Sequence, residues 1–167
     1  MARYIPVADC AKLVRAAIKG RFPTTVFSVR SKSYAGGASI NVRWTDGPTV
    51  PAVDEVVDPF VGSSFDGMID LKSLVYGRLN GEEVRYGSDY IHTTRDISPA
   101  FHAFLVQKFE SETGLQFVPG RELHAFYAKD GGRFWQNDRE LTWADSLIYQ
   151  ASYHLDRCNI CVEVAHA

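Results

Sequence analysis

The sequence predicts an α+β fold, with helices packed on an antiparallel or mixed sheet, for two reasons. The predicted elements run helix, strand, strand, helix, and a strand-rich stretch then precedes further helices. Strands therefore follow one another instead of alternating with helices as in a doubly wound sheet. The chain has 167 residues, 46% of them hydrophobic, which is enough to bury a core. We predict an α-β-β-α unit within residues 1–115, with a C-terminal extension, residues 116–167, packed on it as one compact body.

The first predicted element is a helix over residues 7–19. Pro6 precedes it and Gly20 follows it, as is typical of helix starts and ends. Its apolar residues recur at helical spacing and predict one buried face. These residues are Val7, Cys10, Ala11, Val14, Ala17 and Ile18.

Two strands are predicted next, at residues 25–30 and 39–44. The first is rich in β-branched and aromatic residues, and the second alternates apolar and polar residues. A glycine-containing loop joins them, which favours a hairpin. The alternation places Arg30 and Arg43 together on its exposed face.

Further elements follow from the same patterns. Residues 51–60 show the apolar spacing of a short amphipathic helix. Residues 84–86 and 90–94 are predicted to pair as a hairpin across a Gly-Ser-Asp turn.

Two helices and a strand complete the prediction. One helix starts at Ser98, since Ser-Pro is a strong N-terminal signal, and stops at Gly114. Another follows Thr142-Trp-Ala-Asp145, which resembles a capping box, and ends at about Leu155. Residues 160–164 alternate as a terminal strand.

Charge is strongly segregated although the net charge is only −2. Residues 1–43 carry eight basic residues and one acidic residue, a net of +7. Residues 44–71 carry six acidic residues and no basic one, a net of −6. Such asymmetry produces a directed field that attracts a charged partner; the alternative is that the two blocks neutralise each other across the fold.

The basic block is a candidate surface for nucleic acid or for a protein partner. Cations on the first helix and on the neighbouring hairpin would follow phosphates, and Tyr34 would stack on a base. The isoelectric point of about 6.2 argues against this hypothesis. The candidate residues are Lys12, Arg15, Lys19, Arg30, Lys32, Tyr34 and Arg43.

The acidic block is a second candidate surface. A line of carboxylates can act as a DNA mimic and occupy a basic channel of another protein, and the alternative is an ordinary solvated helix face. Its residues are Asp46, Asp54, Glu55, Asp58, Asp66 and Asp70.

Motifs for catalysis are missing from the sequence. It contains no phosphate-binding loop, no Gly-x-Ser-x-Gly elbow and no His-Glu-x-x-His. We therefore expect a protein that binds a macromolecule, without enzymatic activity and without a cofactor. The alternative is an acid–base or metal cluster formed by Asp66, Asp70, Asp89 and His92.

A metal site is the alternative for the C-terminal segment. His154, Cys158, Cys161 and His166 have donor types that suit zinc, but the alternation in this segment equally indicates a strand with unpaired thiols. The chain has only three cysteines, no signal-like start and no long apolar run. These features predict a cytoplasmic protein.

Several strings resemble the large polyvalent protein-associated domain family, in the group labelled twenty-nine. They include Phe27-Ser-Val-Arg-Ser-Lys-Ser-Tyr-Ala-Gly-Gly-Ala-Ser-Ile, Ser64-Phe-Asp-Gly-Met-Ile-Asp-Leu and Arg85-Tyr-Gly-Ser-Asp-Tyr-Ile. The resemblance covers roughly residues 5–115. It assigns no catalytic role to these strings.

The resemblance implies a protein of a phage or conjugative element that acts against host defences inside a bacterial cell. It favours an inhibitor, of the anti-CRISPR or anti-restriction kind, that binds a host nucleoprotein complex. The alternative is a nucleic-acid-binding accessory domain that uses the basic helix and hairpin. Self-association as a homodimer is a further alternative.

Overall fold

The computed structural model describes residues 2–68, 71–123, 135 and 142–156. It confirms the α+β class, with helices and several small sheets. The chain divides into two compact units. The first unit comprises Met1–Thr45 and Val50–Asp96, and the second comprises Asp46–Thr49 and Ile97–Ala167. The predicted domain boundary, between residues 1–115 and the C-terminal extension of residues 116–167, stays a prediction.

The first unit contains two helices and eight strands among its described residues. The helices are α1 (Val7–Arg21) and α2 (Val50–Val57), and a short 3-10 turn (Asp58–Phe60) follows α2. The strands are β1 (Arg3–Ile5), β2 (Phe27–Tyr34), β3 (Gly37–Thr45), β4 (Ser63–Asp66), β5 (Leu71–Leu74), β6 (Gly77–Leu79), β7 (Glu82–Tyr86) and β8 (Tyr90–Asp96).

The main sheet of this unit has the order β2-β3-β8 and is mixed. Strands β2 and β3 pair antiparallel, which confirms the predicted hairpin, while β3 and β8 pair in parallel. Helices α1 and α2 pack on one face. The alternation in β3 turns Ile40, Val42 and Trp44 into this core, and among the described residues of the unit no helix covers the other face.

The remaining strands form a sheet of order β1-β7-β6 and the two-stranded β4-β5 hairpin. The predicted hairpin of residues 84–86 and 90–94 is wrong, because β7 pairs with β1 and β6, whereas β8 pairs with β3. The connection between β7 and β8 forms its hydrogen bonds with other segments. Gly87 N–H donates to Ile5 O at 2.8 Å, and Asp89 N–H donates to Ala38 O at 2.8 Å.

The second unit contains α3 (Pro99–Thr113), β9 (Glu122–Leu123), β10 (Thr142–Trp143) and α4 (Ala144–His154). Both predicted ends of α3 are confirmed, since Ser98 Oγ accepts from Phe101 N–H and Gly114 adopts φ 73°. Buried residues of α3 and α4, with Trp135, form the core of this unit. The predicted strand at residues 160–164 lies outside the described residues.

No helix among the described residues is long and apolar enough to cross a membrane.

Candidate nucleic-acid interface

The face of the β2-β3-β8 sheet opposite α1 and α2 is here called the open face. Alternation along each strand sends every second side chain to it, and nearly all of these side chains are exposed. Its residues in β2 are Ser28, Arg30, Lys32 and Tyr34, those in β3 are Ser39, Asn41, Arg43 and Thr45, and those in β8 are Tyr90, His92, Thr94 and Asp96.

Three cations dominate the open face. Arg30, Lys32 and Arg43 line a shallow groove of about 530 Å³, together with Ser28, Ser31 and Asn41. Within the described part of the chain, the side chains of these three cations have neither an ion pair nor a hydrogen bond. Their positive charge is therefore not neutralised by the described part of the protein.

The strand register arranges the open face in rows that run from β2 through β3 to β8. The rows are Lys32, Ser39, Tyr90; Arg30, Asn41, His92; and Ser28, Arg43, Thr94. In the first two rows a cation stands on β2, a small polar residue in the centre and a ring on β8. The rings of Tyr90 and His92 are nearly parallel, at 19°, with centroids 6.2 Å apart.

Tyr34 lies at the hairpin end of the open face and is 45% exposed. A Cβ atom placed on Gly37 would lie 3.1 Å from its ring, so the ring covers the position where a larger residue would project. The structure therefore brings Tyr34 together with Arg30, Lys32 and Arg43, as the sequence predicted for this part of the basic surface.

The basic residues of α1 do not join this surface, because α1 packs on the opposite face of the sheet. Lys12 and Lys19 are exposed there, and Lys12 pairs with Asp9 at 2.8 Å. Arg15 donates to the main-chain carbonyl of Val29 in β2 at 2.8 Å. The predicted basic surface is therefore two separate groups of cations.

Two of the six residues of the predicted acidic surface accept hydrogen bonds within the structure and are not fully exposed. Asp46 is only 7% exposed and accepts from Ser98 N–H at 2.8 Å within the second unit. In the first unit, Asp54 is half-buried and accepts from Thr93 Oγ1 at 2.6 Å. The other four acidic residues are distributed as follows: Glu55 and Asp58 are exposed, Asp66 lies in β4, and Asp70 lies outside the described residues.

Two residues of the alternative acid–base cluster, His92 and Asp89, have different surroundings in the structure. His92 is on the open face, whereas Asp89 accepts from Lys72 Nζ at 2.7 Å and from Ala38 N–H at 2.9 Å. Burial raises the pKa of Asp89, but these two donors outweigh it and hold the pKa below its usual value. Asp89 is thus an ionised carboxylate that ties β5 to the start of β3.

Replacing Asp89 by asparagine is expected to destabilise the protein by about 1–3 kcal/mol at pH 7, since a charge-assisted hydrogen bond is lost. The folded pKa lies below the unfolded one, so this contribution is present above about pH 4 and disappears as the pH falls further. Urea unfolding at pH 7 and pH 3 measures the difference. Asp58→Asn, at an exposed position, serves as the control. An equal effect of Asp89→Asn at both pH values would contradict the assignment.

Three of the four possible zinc ligands lie outside the described residues. His154 ends α4, while Cys158, Cys161 and His166 lie outside the described residues. The choice between a metal site and unpaired thiols therefore stays a prediction.

Sequence reasoning missed the ring pair of Tyr90 and His92 as part of a basic surface. The alternation of residues 90–94 was visible, but the pairing of this strand with β3 was not predicted. Only that parallel pairing places the rings beside Ser39 and Asn41.

Comparison with known proteins identifies one family. The model of the family described as large polyvalent protein associated domain 29 matches residues 5–98. This range contains every residue of the open face. No curated protein and no solved structure matches the chain.

Proposed function

The chain belongs to the large polyvalent protein associated domain 29 family, which is associated with polyvalent proteins of phages and mobile elements, and we propose that it binds nucleic acid through the open face, without catalysis. The observation that carries this proposal is the group of three unneutralised cations, Arg30, Lys32 and Arg43, along one groove. Nucleic-acid affinity arises largely from such contacts, because each neutralised phosphate releases bound counterions.

The net charge of −2 does not oppose this proposal. A polyanion responds to the local field at its binding surface, and among the described acidic residues of the first unit only Asp96 lies on one of the three strands of the open face. Asp54 is held by Thr93 on the helix-covered face, and Asp89 is neutralised by Lys72. Asp96 is the carboxylate of β8 that shares the open face, and it lies beyond the row of Arg43.

Salt titration tests the proposal directly. Three phosphate contacts to a single strand predict a slope of about −2 in log K against log salt, and affinity should fall about twentyfold between 50 and 200 mM salt. Fluorescence anisotropy with a labelled 20-nucleotide strand measures this slope, and a 20-base-pair duplex is titrated in parallel. Absence of binding to both at 50 mM salt would refute the proposal.

A second candidate is inhibition of a host defence nucleoprotein complex, such as a CRISPR effector or a restriction system, by contact with its protein. The specific observation in its favour is a group of exposed aromatic residues in the second unit. Tyr149 and Tyr153 on α4 are 52% and 36% exposed, and Trp143 just before α4 is 50% exposed. Aromatic residues of this kind often dominate protein interfaces. Under this candidate, inhibition would survive removal of the three cations on the open face.

A further inference from the structure

We propose that the open face binds a single strand of nucleic acid, with its phosphates along β2 and its bases on the rings of Tyr90 and His92 in β8. This inference rests on the proposed function and adds the class of nucleic acid and two contact residues. It starts from the separation of chemistry across the sheet. In the two rows that contain the rings, a cation lies on β2, a ring lies on β8 and a small polar residue lies between them, while Arg43 occupies the central strand of the third row.

The dimensions of the sheet suit one strand of nucleotides. Neighbouring β-strands are about 4.8 Å apart, so β2 and β8 are separated by about 10 Å, comparable to the reach from a phosphate to its base. Successive rows are two residues apart, or about 6.6 Å, comparable to the rise of an extended single strand. Lys32 and Arg30 are therefore spaced for consecutive phosphates, with Tyr90 and His92 spaced for the corresponding bases.

The centre of the open face carries small polar side chains in the two rows that contain the rings. Ser39 has a small side chain and is 8% exposed, whereas Asn41 is exposed and carries both a donor and an acceptor. In the two rows that contain the rings, the central strand contributes only a serine and an asparagine between β2 and β8. Asn41 can hydrogen bond to a base edge, which unstacked bases present.

Duplex DNA fits this surface less well. Its bases are stacked inside, and sequence-reading elements must enter a groove, as a helix or a β-ribbon does. The open face is a broad sheet surface with two nearly parallel rings at its β8 border. Faces of rings bind bases that are free to stack, as in single strands.

The ring pair is also free to engage a ligand. Tyr90 is 37% exposed, and within the described part of the chain each of the two rings has the other as its aromatic neighbour and no side-chain hydrogen bond. The two rings are nearly parallel and lie along the β8 border of the sheet, with centroids 6.2 Å apart.

The test uses three probes with equal numbers of phosphates per strand: labelled oligo-dT of 20 nucleotides, an abasic strand of the same length, and a 20-base-pair duplex. We expect the full chain to bind oligo-dT at least about tenfold more tightly than the abasic strand, since stacking on an aromatic ring contributes substantially per base. Tyr90→Val with His92→Val should remove this preference and leave affinity for the abasic strand within about twofold. Valine maintains strand propensity while removing the ring.

Tyr76→Val is the matched control, because the Tyr76 ring is 53% exposed and the residue lies between β5 and β6, outside the β2-β3-β8 sheet. It should leave all three affinities unchanged. If the double variant fails to fold, oligonucleotides containing 4-thiothymidine should crosslink the unaltered chain within Tyr90–Asp96, and crosslinks confined to other segments would overturn the inference.

The possible failures are distinguishable. Equal, salt-sensitive binding of oligo-dT and abasic strand would overturn the single-strand inference while leaving the proposed function intact. Tighter binding of the duplex than of oligo-dT would do the same. If none of the three probes binds at 50 mM salt, the proposed function falls as well.

Discussion

Replacing Arg30, Lys32 and Arg43 together by glutamine is expected to weaken nucleic-acid binding about 100-fold at 50 mM salt. Each exposed charge contact contributes up to about 1 kcal/mol, and the three act on one ligand. The salt slope should fall from about −2 to near zero, because the variant no longer releases counterions at this groove. Anisotropy titrations at several salt concentrations give both quantities. Glutamine retains the length and polarity of the side chains, and all three positions are exposed, so the fold should be preserved.

The matched control removes the same charge from the other side of the sheet. Lys12, Lys19 and Arg21 lie on α1, and their replacement by glutamine also lowers the net charge by three. Affinity should change less than about threefold, since α1 does not share a face with the groove. An equal loss of affinity in both triple variants would show that net charge alone attracts the nucleic acid, and the open face would lose its assignment.

Gly62→Ala is expected to destabilise the protein by at least about 2 kcal/mol. A Cβ atom at Gly62 would lie 1.9 Å from the carbonyl oxygen of Tyr86, and a backbone atom cannot rotate away as a side chain can. The Gly62 N–H also donates to Ser88 O at 2.7 Å, so the two segments cannot separate without losing that hydrogen bond. Overpacking of this kind typically costs about 1–3 kcal/mol, and the added loss of the hydrogen bond raises the total. Urea unfolding followed by circular dichroism measures it.

Gly20→Ala is the control for this substitution. Gly20 lies in the last turn of α1, is exposed, and has no atom within 4 Å of the position of a Cβ atom. Alanine there should stabilise the protein by about 0.5–1 kcal/mol, because glycine has low helix propensity. If Gly62→Ala were tolerated as well as Gly20→Ala, the close approach of residues 62 and 86 would be disproved.

Local elements followed from the sequence because their signals are local. The alternation of residues 39–44 defined which side chains enter the core, and Ser98 and Gly114 marked both ends of α3. The same alternation placed Arg30 and Arg43 on one exposed face, so half of the candidate site was predictable.

Long-range pairing did not follow from the sequence. Strands β3 and β8 are separated by more than forty residues, and nothing in either strand specifies parallel rather than hairpin pairing. The contribution of Tyr90 and His92 depends entirely on that pairing. Likewise, the burial of Asp46 depends on a left-handed backbone at φ 55° and on Ser98, which is fifty-two residues away.

The hydrogen bond from Arg15 to Val29 has a consequence for how a partner can approach. Strand β2 is a border strand, and its outward carbonyls are the acceptors that a strand from another molecule would need in order to extend the sheet. Arg15 already occupies the acceptor at Val29. Sheet extension by a foreign strand is thereby opposed at this border, both in aggregation and in recognition. At the β2 border, a ligand therefore contacts the side chains of the open face and not the main-chain acceptor of Val29.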